Sequence, residues 1–276
     1  YSASSLALIQ VTSGRIIRSW QSRDRIRRYH RTNSPEGGPL GVLCRLTRNM
    51  VGKWGSKESP SLQPVNAGSG RALSQGISRE VAIATVLRIG HRGAAGHAPE
   101  NTLAAIWKAR SFHADLIEID LRATSDGHLV LLHDDTIDRT TNKSGHVSEM
   151  SLEQIQRLDA GNWQRVPTLE EALDVAGRAV GMILELKVEG IGNEACAIVK
   201  RTGFPGPLIY ASFLMPELQR VRHTDPDAKI MVLQHRRLPP DPVADVVALD
   251  ASHVGLHFST VTPMLLQTYH NLGRQV

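Results

Sequence analysis

Leu116-Ile117-Glu118-Ile119-Asp120-Leu121 sets two carboxylates at alternate positions in an otherwise apolar run. Successive side chains of a strand point to opposite faces, so Glu118 and Asp120 share one face and Ile117, Ile119 and Leu121 the other. Two like charges side by side inside an apolar strand call for a partner cation. Ile183-Leu184-Glu185-Leu186-Lys187 repeats the arrangement on a second run, with Glu185 and Lys187 on one face. If both runs line one barrel, Glu118, Asp120 and Glu185 converge on a hard dication such as Mg²⁺ or Ca²⁺, which takes oxygen ligands. The bland alternative is a set of ordinary ion pairs, for instance Glu185 with Lys187.

Working outward, short apolar runs alternate with amphipathic stretches from Ile83 onward. Strands are predicted at 86–90, 116–121, 129–133, 181–187, 207–213, 229–234 and 246–249. Helices are predicted at 102–112, 151–158, 168–175, 192–201, 215–222 and 263–272; Ser151-Leu152-Glu153-Gln154 and Thr168-Leu169-Glu170-Glu171 have the form of capping boxes. Continuous apolar strands separated by helices argue for a buried parallel sheet. Polar residues recur at the C-terminal ends of several strands, which favours a TIM (β/α)8-type barrel over an open sheet. Such a barrel needs eight strands and typically about 250 residues, so the expectation is a barrel lacking its last one or two strands.

His91 follows the first predicted strand and His133 ends the third, which places both at the rim where active sites of this architecture lie. Two imidazoles can divide acid and base roles in phosphoester cleavage. Arg92 offers a planar fork suited to phosphate oxygens, and Gly93 allows close backbone approach. Of the 12 histidines, none of the others has a comparable setting. His97, His113, His128 and His146 read as solvated, and the His253/His257 pair is set aside because its segment reads as strand or loop. Trp107 and Trp163 read as packing residues.

Charge is unevenly spread. Residues 1–80 hold 13 Lys and Arg against 4 Asp and Glu, whereas 81–276 hold 19 against 23. The basic third therefore sets the pI, and a nucleic-acid role for the whole chain does not follow. Residues 1–80 are expected to be a basic, disordered or non-native extension; a transit peptide and a binding arm are the competing readings. Residues 81–276 form the barrel domain. Cys44 and Cys196 lack the spacing of a disulfide framework or zinc site, which favours a reducing compartment. No apolar run is long enough to span a membrane. A cytoplasmic location is expected, with the Arg-rich start compatible with organellar import.

Taken together, Ile89-Gly90-His91-Arg92-Gly93, Pro99-Glu100-Asn101-Thr102-Leu103, Glu118-Ile119-Asp120, Thr124-Ser125-Asp126-Gly127, His133-Asp134, Asp138-Arg139-Thr140-Thr141, Pro167-Thr168-Leu169-Glu170-Glu171 and Glu185-Leu186-Lys187 resemble the glycerophosphodiester phosphodiesterases of the compact bacterial type. The resemblance implies a barrel of the phospholipase C-like phosphodiesterase kind and metal-dependent hydrolysis of glycerophosphodiesters to glycerol 3-phosphate and an alcohol. It makes His91 and His133 the acid/base pair and Glu118, Asp120 and Glu185 the metal ligands. Arg92 and Lys187 become phosphate contacts, with Glu100 supporting the site. First attack by the neighbouring glycerol hydroxyl and by water are both compatible with it. Two features depart from the family pattern: the loop between Trp163 and Pro167 is short, and a late Trp-Thr-Val-Asn-like strand would begin past Val276. Competing readings are a phospholipase D-like lyase acting on lysophospholipids and an inactive incomplete barrel with a basic binding arm.

Overall fold

The computed structural model describes residues 86–276; the basic segment 1–80 and Cys44 lie outside the described residues. Seven strands form one sheet: β1 (Ile89–His91), β2 (Leu116–Ala123), β3 (Leu129–Leu131), β4 (Gly181–Leu186), β5 (Leu208–Ser212), β6 (Lys229–Leu233) and β7 (His253–Gly255). Six are parallel in the order β1-β2-β4-β5-β6-β7, while β3 pairs antiparallel with β2. Gln275 bridges His253 in parallel, so the chain rejoins the sheet beside β7. The result is a partial parallel barrel of the predicted class.

Helices α1 (Leu103–Ser111), α2 (Leu152–Gln156), α3 (Leu169–Ala176), α4 (Gly192–Thr202), α5 (Met215–Thr224), α6 (Ala244–Ala248) and α7 (Pro263–Asn271) complete the order. Both capping boxes form: Ser151 and Thr168 each accept a backbone N–H while the Gln154 and Glu171 side chains accept in return. The outward-facing residues of β2, Ile117, Ile119 and Leu121, join one large core with Leu184, Tyr210, Ile230 and helix residues. On the opposite face Leu116, Ile183, Ile209 and Met231 make an apolar inner floor. It borders a cavity of 430 Å³ lined by Leu87, Ile89 and Leu116 among others. Above this floor, at the strands' C-terminal ends, stand the acidic side chains.

Three expectations are corrected. The strand predicted at 129–133 is not a barrel stave: β3 runs back along β2, with Leu131 opposite Leu121, because the Thr124-to-Gly127 turn, closed by Gly127 N–H to the Thr124 carbonyl at 3.0 Å, reverses the chain. The run 246–249 is helical, with Val246 and Leu249 buried and Val247 exposed. A short apolar run has no period of its own, and here a three-residue spacing fits a helix face. The strand falls later, at β7. Trp107 and Trp163 are exposed rather than packed, at 60% and 92%.

Candidate active site

The rim begins with a tight turn after β1. Arg92 takes a left-handed backbone (φ 52°), as does Gly93 (φ 78°), and the Arg92 N–H donates to Glu118 Oε2 at 2.8 Å. His91 Nε2 lies 3.7 Å from the same oxygen. The turn fits only with glycine at 93, where an added Cβ would meet the Ala105 backbone at 2.6 Å. Facing it, Asn101 (φ 56°) donates from Nδ2 to Asp120 Oδ2 at 2.8 Å and accepts the Asp120 N–H at 3.2 Å. Thr102 then caps α1 through the Ala105 N–H.

Glu118 and Asp120 project from β2, and Asp120 is the register partner of Glu185 on β4. One oxygen from each of Glu118, Asp120 and Glu185 lies within 4.8 Å of the other two, and all three residues are buried. Lys187 reaches Glu185 Oε1 at 2.7 Å and Asp120 Oδ1 at 3.2 Å, so the ion pair allowed by the sequence does form. Arg92 Nε stands 3.3 Å from Asp120 Oδ2. Glu118 Oε1 has no polar partner although it is buried, which two flanking cations do not remedy. An oxygen donor set of three carboxylates with an orphaned, buried oxygen fits a hard divalent cation.

The three carboxylates are shifted in different directions. Burial, together with Asp120 and Glu185, pushes Glu118 well above the ordinary carboxylate range. Burial raises Glu185 too, with Lys187 opposing. Asp120 goes the other way: burial would raise it, but Lys187 and Arg92 outweigh that and hold it low. A tightly packed trio that resists full ionisation is what an added dication would relieve.

His133 arrives by the hairpin. Because β3 descends beside β2, Leu132 N–H bonds the Asp120 carbonyl at 3.1 Å, and His133 follows at the height of the carboxylates. Its Nδ1 is 2.6 Å from Asp134 Oδ1; with the carboxylate accepting, Nδ1 carries the proton and Nε2 is left with its lone pair. Burial lowers His133, with Asp120 and Asp134 opposing. Burial and the neighbouring Arg92 push His91 down to about 4, and the field of His133 adds to it. Both shifts favour the neutral imidazole.

Glu100 Oε1 accepts from Arg92 Nη1 at 2.8 Å. All eight residues singled out in the sequence thus meet at one rim. Four that were not singled out join them: Asn101 on Asp120, Arg122 on the His133 carbonyl, Asp134 on His133, and Arg139 on Asp134 and Glu100. Arg122 was readable, since it continues the Glu118/Asp120 face at the next alternate position. Asn101, Asp134 and Arg139 lie in motifs that carry the resemblance, but their partners depend on loop conformation and were not assigned from the sequence.

Residues 91–276 match the family described as the glycerophosphoryl diester phosphodiesterase family. The chain belongs to that family. A glycerophosphodiester phosphodiesterase of Caldanaerobacter subterraneus subsp. tengcongensis is 38% identical over 160 residues, 53% of this chain and 66% of the relative. One from Bacillus subtilis is 34% identical over 167 residues, 51% of this chain and 57% of the relative. The chain therefore spans less than two thirds of either relative. Among solved structures, an Oleispira antarctica phosphodiesterase in complex with the product sn-glycerol-3-phosphate is 30% identical with a TM-score of 0.63, covering 67% of this chain and 81% of that one. That structure shares the parallel-strand fold described above. Among the described residues no helix is long and apolar enough to cross a membrane.

Proposed function

We propose that this site hydrolyses glycerophosphodiesters to glycerol 3-phosphate and an alcohol with the aid of one divalent cation, Mg²⁺ or Ca²⁺. The observation that carries the reading is the gathering of two histidines, a guanidinium and an ammonium around three buried carboxylates, in a chain of this family.

Glu118, Asp120 and Glu185 would hold the cation, which when bound offsets their mutual repulsion and supplies positive charge toward the phosphate oxygens. Arg92 and Lys187 flank the same carboxylates and bind the phosphodiester anion. Glu100 keeps the Arg92 fork in place. His133, its Nδ1 committed to Asp134, offers Nε2 for proton transfer; His91 stands over Glu118 on the facing rim. One imidazole removes the proton from the attacking oxygen and the other protonates the departing alkoxide. Burial favours the neutral form of both in the free protein, as the base requires. The acid partner carries its proton, drawn from solvent, when the alkoxide departs.

The test is turnover of glycerophosphocholine by the full chain with Mg²⁺ or Ca²⁺, following release of glycerol 3-phosphate. Cleavage of lysophosphatidylcholine with no turnover of glycerophosphocholine would replace this reading by that of a lyase.

A further inference from the structure

His133 is held from two sides. Arg122 donates Nε and Nη2 to its backbone carbonyl at 2.9 and 2.8 Å, and Asp134 faces its Nδ1. Asp134 is itself held: its other oxygen accepts from Arg139 Nε at 2.6 Å. Arg139 then turns its two terminal nitrogens onto Glu100, donating to both carboxylate oxygens at 3.0 and 2.7 Å. Glu100 is the residue that aims Arg92. One guanidinium thus ties the support of His133 to the support of Arg92, across two loops 39 positions apart.

An isolated surface ion pair contributes little. Arg139 differs in that all three of its nitrogens end on carboxylates, each of which passes the constraint to a residue at the site. Only a planar fork can serve two acceptors in this way; an ammonium is a point charge. Its own backbone is fixed as well. Ile137 is fully buried, Ile137 N–H bonds the Gly145 carbonyl at 3.0 Å, and Asp138 accepts from Gly145 N–H at 3.0 Å.

We propose that Arg139 is a positioning residue: it fixes Asp134, so that His133 keeps its proton on Nδ1 and presents Nε2, and it fixes Glu100, so that Arg92 stays aimed. The proposal rests on the phosphodiesterase reading of the same site. Because its nitrogens are spent on carboxylates, Arg139 acts through them and not on phosphate.

The experiment compares the full chain with Arg139→Gln and Arg139→Lys, using glycerophosphocholine and saturating Mg²⁺ or Ca²⁺. In Arg139→Gln kcat falls about tenfold to a hundredfold as His133 loses its support, KM rises by up to about tenfold as Arg92 loses its aim, and the unfolding midpoint is unchanged; Arg139→Lys restores only part of the loss. In an Asp134→Asn background the Arg139→Gln loss is less than additive. Substrate-free ¹⁵N NMR of the His133 ring shows a protonated Nδ1 in the parent chain and a mixture of tautomers in Arg139→Gln. A raised KM with kcat intact, full additivity with Asp134→Asn, or an unchanged His133 tautomer each overturns the proposal. If the parent chain does not hydrolyse glycerophosphocholine, the activity reading fails, and the NMR comparison still decides the positioning role by itself.

Discussion

Asp120 and Glu185 are Cα partners in the parallel ladder between β2 and β4, so their carboxylates enter the barrel interior at the same height. Like charges directly across a ladder repel, and Glu118, one alternate position earlier on β2, adds a third. Glu118→Gln keeps the acceptor that binds the Arg92 N–H but removes the charge whose ionisation is most disfavoured. Without divalent cation its unfolding midpoint should rise, by roughly 2–4 °C for each kcal/mol of repulsion relieved. Adding Mg²⁺ or Ca²⁺ should stabilise the parent chain and leave Glu118→Gln where it was. Calorimetry with and without EDTA reads both arms.

The two histidines should separate from the scaffold. His91→Asn and His133→Asn are each expected to lower kcat by about 10²- to 10⁴-fold while circular dichroism and unfolding midpoints stay near those of the parent, since both side chains sit at the rim and not in the core. Loss of activity accompanied by loss of fold would assign them a structural role instead.

Much of this was legible from strand alternation. Glu118, Asp120, Glu185 and Lys187 are placed by period alone, and the ladder register only had to bring β2 and β4 side by side. His133 was placed at the correct rim for the wrong reason. It reaches the carboxylates on a descending hairpin arm, a reversal that an apolar run of three residues cannot announce. The same weakness misassigned 246–249, where apolar content was clear and period was not. Asn101 and Arg139 stood inside motifs that carry the resemblance but were given no role there, because what they touch depends on loop conformations, one of them with φ 56°, that strand alternation does not encode.

Acid should act through Asp134. The Arg139 hydrogen bond, partly opposed by burial and helped by His133, pulls its carboxyl from 3.8 to about 2. A group whose folded pKa is depressed stabilises the fold fully above its unfolded value and loses that contribution as pH falls through the folded one. The chain should therefore lose stability between about pH 4 and 2, and Asp134→Asn should flatten this part of the curve. Urea midpoints measured across that range check it, and identical slopes in the two proteins would contradict it.

Gly93→Ala should be costly despite its size. The residue combines φ 78° with a Cβ position 2.6 Å from the Ala105 backbone, so strain and overlap act together. A loss of about 1–3 kcal/mol is expected, read as a lowered urea midpoint. Activity should fall with it, because the shift is passed directly to His91 and Arg92.

The returning arm β3 also decides how the site can change over evolutionary time. Both imidazoles, the Arg92 fork, two of the three buried carboxylates and their polar supports all come from 91–139, joined by contacts that span up to 39 positions, while only Glu185 and Lys187 arrive from farther along. The proton-handling half is therefore a cassette whose internal spacing is insulated from insertions after β4, and later loops can be lengthened or exchanged to alter what is bound without disturbing how protons are moved.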